Sequence, residues 1–272
     1  MSNENLNMQA IEIKKFILND LLPGFKAHRA WMALARRNVK ALNRRSKLGS
    51  LWISLTAAVF ITCLAFVYSA VLKTNMEDLL PYIAVGYVVW LYISGMLISM
   101  PPLYIQMAQY VQQRNFPYTV YVLANAVDKL DLMIRQSIVI VVVGLIFQTG
   151  LSVSILILPI SLLLLTFISI GTSYFVSTMA VRYRDIGPLL NSFMLLIFLT
   201  TPIIWKPELV GDRIAFVLWN PFYHLINIIR APILDHYVPW TSLCVSLFVL
   251  VLVWLSGIWA MSKYRNRIIF WI

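Results

Sequence analysis

Arg182-Tyr183-Arg184-Asp185-Ile186-Gly187-Pro188 opens the stretch that decides the fold. An apolar run follows from Leu189 to Trp205, then a polar break at Lys206-Pro207-Glu208 and a second apolar piece from Ile214 to Leu234. That second piece is interrupted at Asn220-Pro221 and carries His224, Asn227 and Arg230. Pro221 lacks a backbone N–H and biases Asn220 away from helical geometry. The longer fragment, Phe222 to Leu234, reaches roughly 20 Å, against a hydrocarbon core of about 30 Å. A continuous crossing would also bury Arg230 and His224 at a cost of several kcal/mol. The stretch therefore predicts a re-entrant helical hairpin over 214–235 that enters and leaves one face; a straight crossing is the other reading.

Outward from that hairpin, the 272 residues are 60% hydrophobic and only 12% charged, which excludes a soluble domain of this size. The fold class is an all-α polytopic membrane protein with six transmembrane helices, near 51–72, 80–107, 132–148, 151–181, 189–205 and 238–261. Pro101-Pro102 should bend the end of span two. Residues 109–131 read as a polar loop with a short helix starting at Pro117, and Thr149-Gly150 as a tight turn. Residues 51–272 thus form one membrane domain, preceded by a cytoplasmic segment (1–25) and an amphipathic interface helix (26–50). In that helix Trp31, Leu34, Ala35, Val39 and Leu42 share one face, while Arg29, Arg36, Arg37, Lys40, Arg44 and Lys47 lie opposite. No apolar segment near Met1 reads as a cleavable signal, so the first span should direct insertion.

Six spans put eighteen of the 22 Lys and Arg on one side, leaving Lys73, Lys206, Arg213 and Arg230 on the other. The cation-rich side is cytoplasmic by the positive-inside rule. The net charge of +11 therefore reports orientation, not nucleic-acid binding. Were 214–234 to cross, the basic C-terminal tail would lie outside.

Several chemistries are missing. No Gly-rich phosphate loop ends in Gly-Lys-Ser/Thr, so ATP hydrolysis needs another chain. The three histidines lack ligand spacing, and no metal site or bound cofactor is expected. The spans are nearly free of charge, which argues against ion coupling. No ionisable cluster sits at one depth, as a membrane-embedded lipid-modifying enzyme would need. Cys63 and Cys244 fall in apolar runs, where buried packing is the default. Arg184 and Asp185 can satisfy each other or cap span five. The aromatics serve as lipid-facing bulk and interfacial belts, or as a wall along which sugar rings slide; Phe60, Tyr68, Tyr87, Trp90, Phe193 and Phe198 are the channel candidates. Arg44, Arg45 and Lys47 are candidates for a phosphorylated lipid headgroup. The ordered-looking loop from Gln112 to Tyr118 is a plausible lever for another subunit.

Several short motifs, taken in order and spacing, carry a resemblance. They are Lys47-Leu48-Gly49-Ser50-Leu51-Trp52, Arg114-Asn115-Phe116-Pro117, Arg182-Tyr183-Arg184-Asp185-Ile186, Thr201-Pro202-Ile203-Ile204-Trp205, and Asn220-Pro221-Phe222-Tyr223-His224-Leu225-Ile226 through Arg230-Ala231-Pro232. From about Ala30 onward the chain resembles the membrane subunits of ABC-2-type exporters, and among them those of lipopolysaccharide O-antigen export. The resemblance implies a homodimer in the bacterial inner membrane with both termini cytoplasmic. Each copy would dock an ATP-binding cassette subunit that holds ATP and Mg. It implies a coupling segment (109–128) whose contacts are Arg114, Asn115, Phe116, Pro117 and Tyr118, with Tyr118 standing where the family often has a basic residue. It also implies a periplasmic gate of Asn220, Pro221, Phe222, His224 and Arg230, and a polyprenyl-diphosphate-linked polysaccharide as substrate. Capsule, a teichoic-acid-like polymer or a small hydrophobic drug are the alternative cargoes.

Overall fold

The computed structural model describes residues 3–43, 51–106, 108, 116–150 and 152–272. It is helical throughout, with no strand among the described residues. Among the described residues, four helices are long and apolar enough to cross a membrane: Leu51–Leu72 (α4), Met76–Ser99 (α5), Val153–Arg182 (its α-helical part, Leu158–Arg182, is α8) and Trp240–Trp271 (α12). The chain is therefore a multi-pass membrane protein. Ahead of them lie Asn3–Phe16 (α1), a π-helical turn Ile17–Leu21, Leu22–Lys26 (α2) and His28–Asn43 (α3). Between them run Leu103–Gln106 (α6), Tyr118–Ile146 (α7), Ile186–Thr200 (α9), Ile214–Leu218 (α10) and Pro221–Leu234 (α11).

The expected bend at Pro101-Pro102 is present: α5 stops at Ser99 and the chain resumes helix at Leu103. Other boundaries differ from the sequence reading for identifiable reasons. The short helix expected ahead of span three is no separate piece. It is the first half of α7, one continuous 29-residue helix beginning at Tyr118, not Pro117. No proline interrupts it, and the Asp131–Arg135 ion pair at 2.7 Å, four residues apart, supports the polar half. The helix expected as span five runs Ile186–Thr200 and stops short of Trp205, because the residue before Pro202 leaves helical geometry. The basic tail is the last turns of α12. Among the described residues no ion pair joins Arg184 to Asp185, and the Asp185 side chain makes no capping bond to α9.

Helix α3 turns Trp31, Leu34 and Ala35 inward and leaves Arg29, Arg36 and Arg37 exposed. Its apolar face packs against α7, so this amphipathicity serves a protein contact. Within the segment 1–25, whose role the sequence leaves unread, α1 lies along α12, while the π-helical turn and α2 pack on α7. Cys63 and Cys244 are both exposed, correcting the expectation of burial. An apolar run does not distinguish a core-facing from a lipid-facing position, since lipid tails are as apolar as leucine.

Helices α8 and α12 meet closely at two glycines. A Cβ on Gly257 would sit 2.7 Å from the Gly171 carbonyl oxygen, so backbone meets backbone there. The Trp254 indole N–H donates to the Phe167 carbonyl at 3.0 Å beside the crossing. Gly257→Leu should force the helices apart and destabilise the chain by about 1–3 kcal/mol, read as a lower melting temperature in detergent. Gly95→Ala, whose new methyl would find only Lys129 Cδ at 3.9 Å, should not lower the melting temperature and should raise it slightly.

Candidate functional site

At the end of the molecule opposite α1 and α3, the chain abandons helix at Thr201 and runs irregularly to Lys206. Backbone groups freed inside a membrane protein must find partners. The Pro202 carbonyl accepts from two other elements: Arg230 Nη1 at 2.8 Å and the Tyr82 hydroxyl at 3.1 Å. The guanidinium lies over the Tyr82 ring at 3.9 Å and is 2% exposed. Its Nη2 faces Gly86, one helical turn beyond Tyr82, where any Cβ would collide with it. Arg230 is thus held by a π-face, a carbonyl and a glycine-sized gap, with no ion pair to a carboxylate among the described residues.

Helix α11 is anchored at both ends. Asn220 caps its first turn, accepting from Phe222 N–H at 2.9 Å, and its amide donates to Thr201 Oγ1 at 3.0 Å. Pro221 occupies the first helical position. Pro232 cannot donate to the Ile228 carbonyl four residues back, and the Ser161 hydroxyl fills that place at 2.9 Å. His224 is buried between Ser242 Oγ at 3.0 Å from Nδ1 and the Leu218 carbonyl at 2.9 Å from Nε2. A carbonyl only accepts, so Nε2 carries a hydrogen, and in the neutral ring the Ser242 hydroxyl then donates to Nδ1. Asn227 completes the chain by donating to Ser242 at 3.1 Å.

Beside Arg230 opens a polar cavity of about 470 Å³, lined by Glu77, Asp78, Lys206, Glu208, Tyr223 and Asp235 among others. Burial raises the Asp235 carboxyl above its ordinary value, with the Arg230 charge pulling the other way.

Four of the six channel candidates come together. Phe60 of α4 stacks on Tyr87 of α5 at 4.8 Å. Tyr87 meets Phe198 of α9 edge-on at 6.2 Å, and Phe198 meets Trp90 at 5.7 Å. Trp90 then meets Phe222 of α11 at 6.3 Å. The result is a ladder of five rings from four elements. Tyr68 is half-buried and packs on the core separately. Phe193 stands on the exposed face of α9.

At the opposite end, Phe116 packs partly buried on the core and Pro117 directly precedes α7. The Tyr118 ring is buried edge-on against Tyr104 at 5.2 Å, so it faces inward. Arg114 and Asn115, and the headgroup candidates Arg44, Arg45 and Lys47, lie outside the described residues.

The profile of the ABC-2 type transporter family matches residues 29–234. The chain belongs to that family. It is 21% identical over 211 residues to the O-antigen export system permease protein RfbA of Myxococcus xanthus, covering 76% of this chain and 81% of that one. It is likewise 21% identical over 243 residues to an O-antigen export system permease protein RfbA of Klebsiella pneumoniae, covering 87% and 92%.

In this ABC-2 transporter the sequence reading reached Asn220, His224 and Arg230 but missed Tyr82, Gly86, Pro202 and Ser242. The first two were open to discovery: a tyrosine and a glycine four residues apart mark one face of α5. Gly86→Val should push the guanidinium off Tyr82 and destabilise the fold by about 2–4 kcal/mol, measured by thermal melting. Arg230→Lys should not substitute for arginine, because an ammonium has no planar face to lie on Tyr82 while bonding Pro202.

Proposed function

We propose that this chain is the membrane subunit of an ATP-driven exporter that moves a polyprenyl-diphosphate-linked, O-antigen-like polysaccharide across the bacterial inner membrane. Family membership together with relatives named as O-antigen export permeases carries the reading. The ring ladder Phe60–Tyr87–Phe198–Trp90–Phe222 supports it, because sugar rings slide over flat apolar faces without a tight hydrogen-bonded site. In this reading α7 and α9 complete six spans, α3 lies at the cytoplasmic interface, and α10 with α11 forms the re-entrant hairpin at the periplasmic face. Two copies assemble, each with a cassette subunit that holds ATP and Mg, and both termini are cytoplasmic.

Cassette closure presses on the segment ending at Phe116-Pro117. The lipid diphosphate meets interfacial cations such as Arg44, Arg45 and Lys47. The glycan follows the ring ladder toward α11, where release requires the Arg230 contact with Pro202 to move.

The chain purified alone should hydrolyse no ATP, and activity should appear with a co-expressed cassette subunit; hydrolysis by this chain alone contradicts the reading. Phe198→Ala should lower polysaccharide export about fivefold, the loss of one ring contact worth about 1 kcal/mol, while the assembled complex keeps its ATPase. Probes applied to sealed vesicles should reach both termini from the same face.

A further inference from the structure

Asp20 is the one carboxylate with no exposure among the described residues. It sits in the π-helical turn after α1 and reaches the start of α7, 98 residues along the chain. Its Oδ2 accepts from the Tyr118 backbone N–H at 3.0 Å, and its Oδ1 from the Thr119 backbone N–H at 2.9 Å and the Thr119 hydroxyl at 2.8 Å. Arg265 of α12 donates from Nε to Oδ2 at 2.9 Å and from Nη2 to the Asn19 carbonyl at 3.2 Å. The Tyr174 hydroxyl of α8 donates to Thr119 Oγ1 at 2.8 Å.

The local chemistry explains why a distant residue is recruited. The first N–H groups of any helix lack intrahelical partners, and a side-chain acceptor just ahead of the helix ordinarily supplies one. Here that position is Pro117, whose side chain has no acceptor. Asp20 takes over, and its negative charge suits the positive end of the helix dipole. The cap therefore ties together α1, α7 and α12, where a local cap would have tied nothing.

We infer that Asp20 is the positioning residue that makes the Pro117 end of α7 move as one body with α1 and the C-terminal end of α12. The inference rests on the transporter reading only in naming a cassette as the source of the push. A displacement at Phe116-Pro117 drags Tyr118 and Thr119, and through the buried carboxylate it drags Arg265. From there it travels along α12 to the Gly257–Gly171 crossing with α8. Neither Asp20 nor Arg265 lies within the 29–234 segment that matches the family.

Hydrogen exchange on the complex with a co-expressed cassette subunit, with and without ATP and vanadate, tests this. In the wild type, nucleotide should change exchange both at 118–125 and at 261–271. Arg265→Gln removes the ion pair that joins Asp20 to α12, at a partly exposed position, and leaves the cap on α7. It should cut the response at 261–271 about fivefold while sparing 118–125 and the melting temperature. Asp20→Asn places an amide N–H against facing donors, and should also speed nucleotide-free exchange of the Tyr118 and Thr119 amides about tenfold. A wild-type response at 261–271 in both variants overturns the inference, as does a response that falls equally in both segments along with the melting temperature. Absence of any cassette complex with the wild-type chain would instead overturn the transporter reading. The nucleotide-free exchange at Tyr118 still judges the junction, and an unchanged rate in Asp20→Asn overturns it.

Discussion

A carbonyl that has lost its helix governs one end of this molecule. Once the chain leaves α9 at Thr201, the Pro202 oxygen needs donors in surroundings with little water. Arg230 and Tyr82 supply them, and each is in turn placed by something else: Arg230 by the gap at Gly86, Tyr82 by its turn of α5. A buried guanidinium is costly unless its charge is spread and its hydrogens used. Here an aromatic face and a carbonyl do part of that, and Nε and Nη2 have no protein acceptor among the described residues. The arrangement therefore holds together with two of the guanidinium nitrogens unused.

The two ends of the molecule solve the same problem with opposite charges. At one, a cation satisfies a carbonyl where a helix ends. At the other, an anion satisfies N–H groups where a helix begins. In both, the nearby sequence offers a proline and no local cap, so a residue far along the chain is brought in. Proline thus acts here less as a breaker than as a demand for tertiary contact.

Helices of the right kind were legible because apolar runs and prolines act locally. The bend after Ser99, the break at Asn220-Pro221 and the helical N-terminal amphipath follow from backbone chemistry within a few residues. Asn220, His224 and Arg230 stood out as polar groups in an apolar run. Their partners did not, since Tyr82, Pro202 and Ser242 are distant in sequence and ordinary in type. Asp20 was equally hidden, as an acid in a mixed segment whose four donors come from elsewhere. The burial of cysteines was misjudged for a further reason: in a membrane chain the apolar pattern marks lipid contact and core alike, so Cys63 and Cys244 gave no sign of facing outward.

The unbroken α7 has a geometric consequence. Twenty-nine residues give a rod of roughly 44 Å, long enough to join the two ends of the molecule. Its start is gripped by Asp20, while Phe147 and Thr149, just past its far end, line the polar cavity beside Arg230. One unbroken rod therefore ties the Asp20 junction to the wall of that cavity, so the two ends share a single element without a relay of side chains between them.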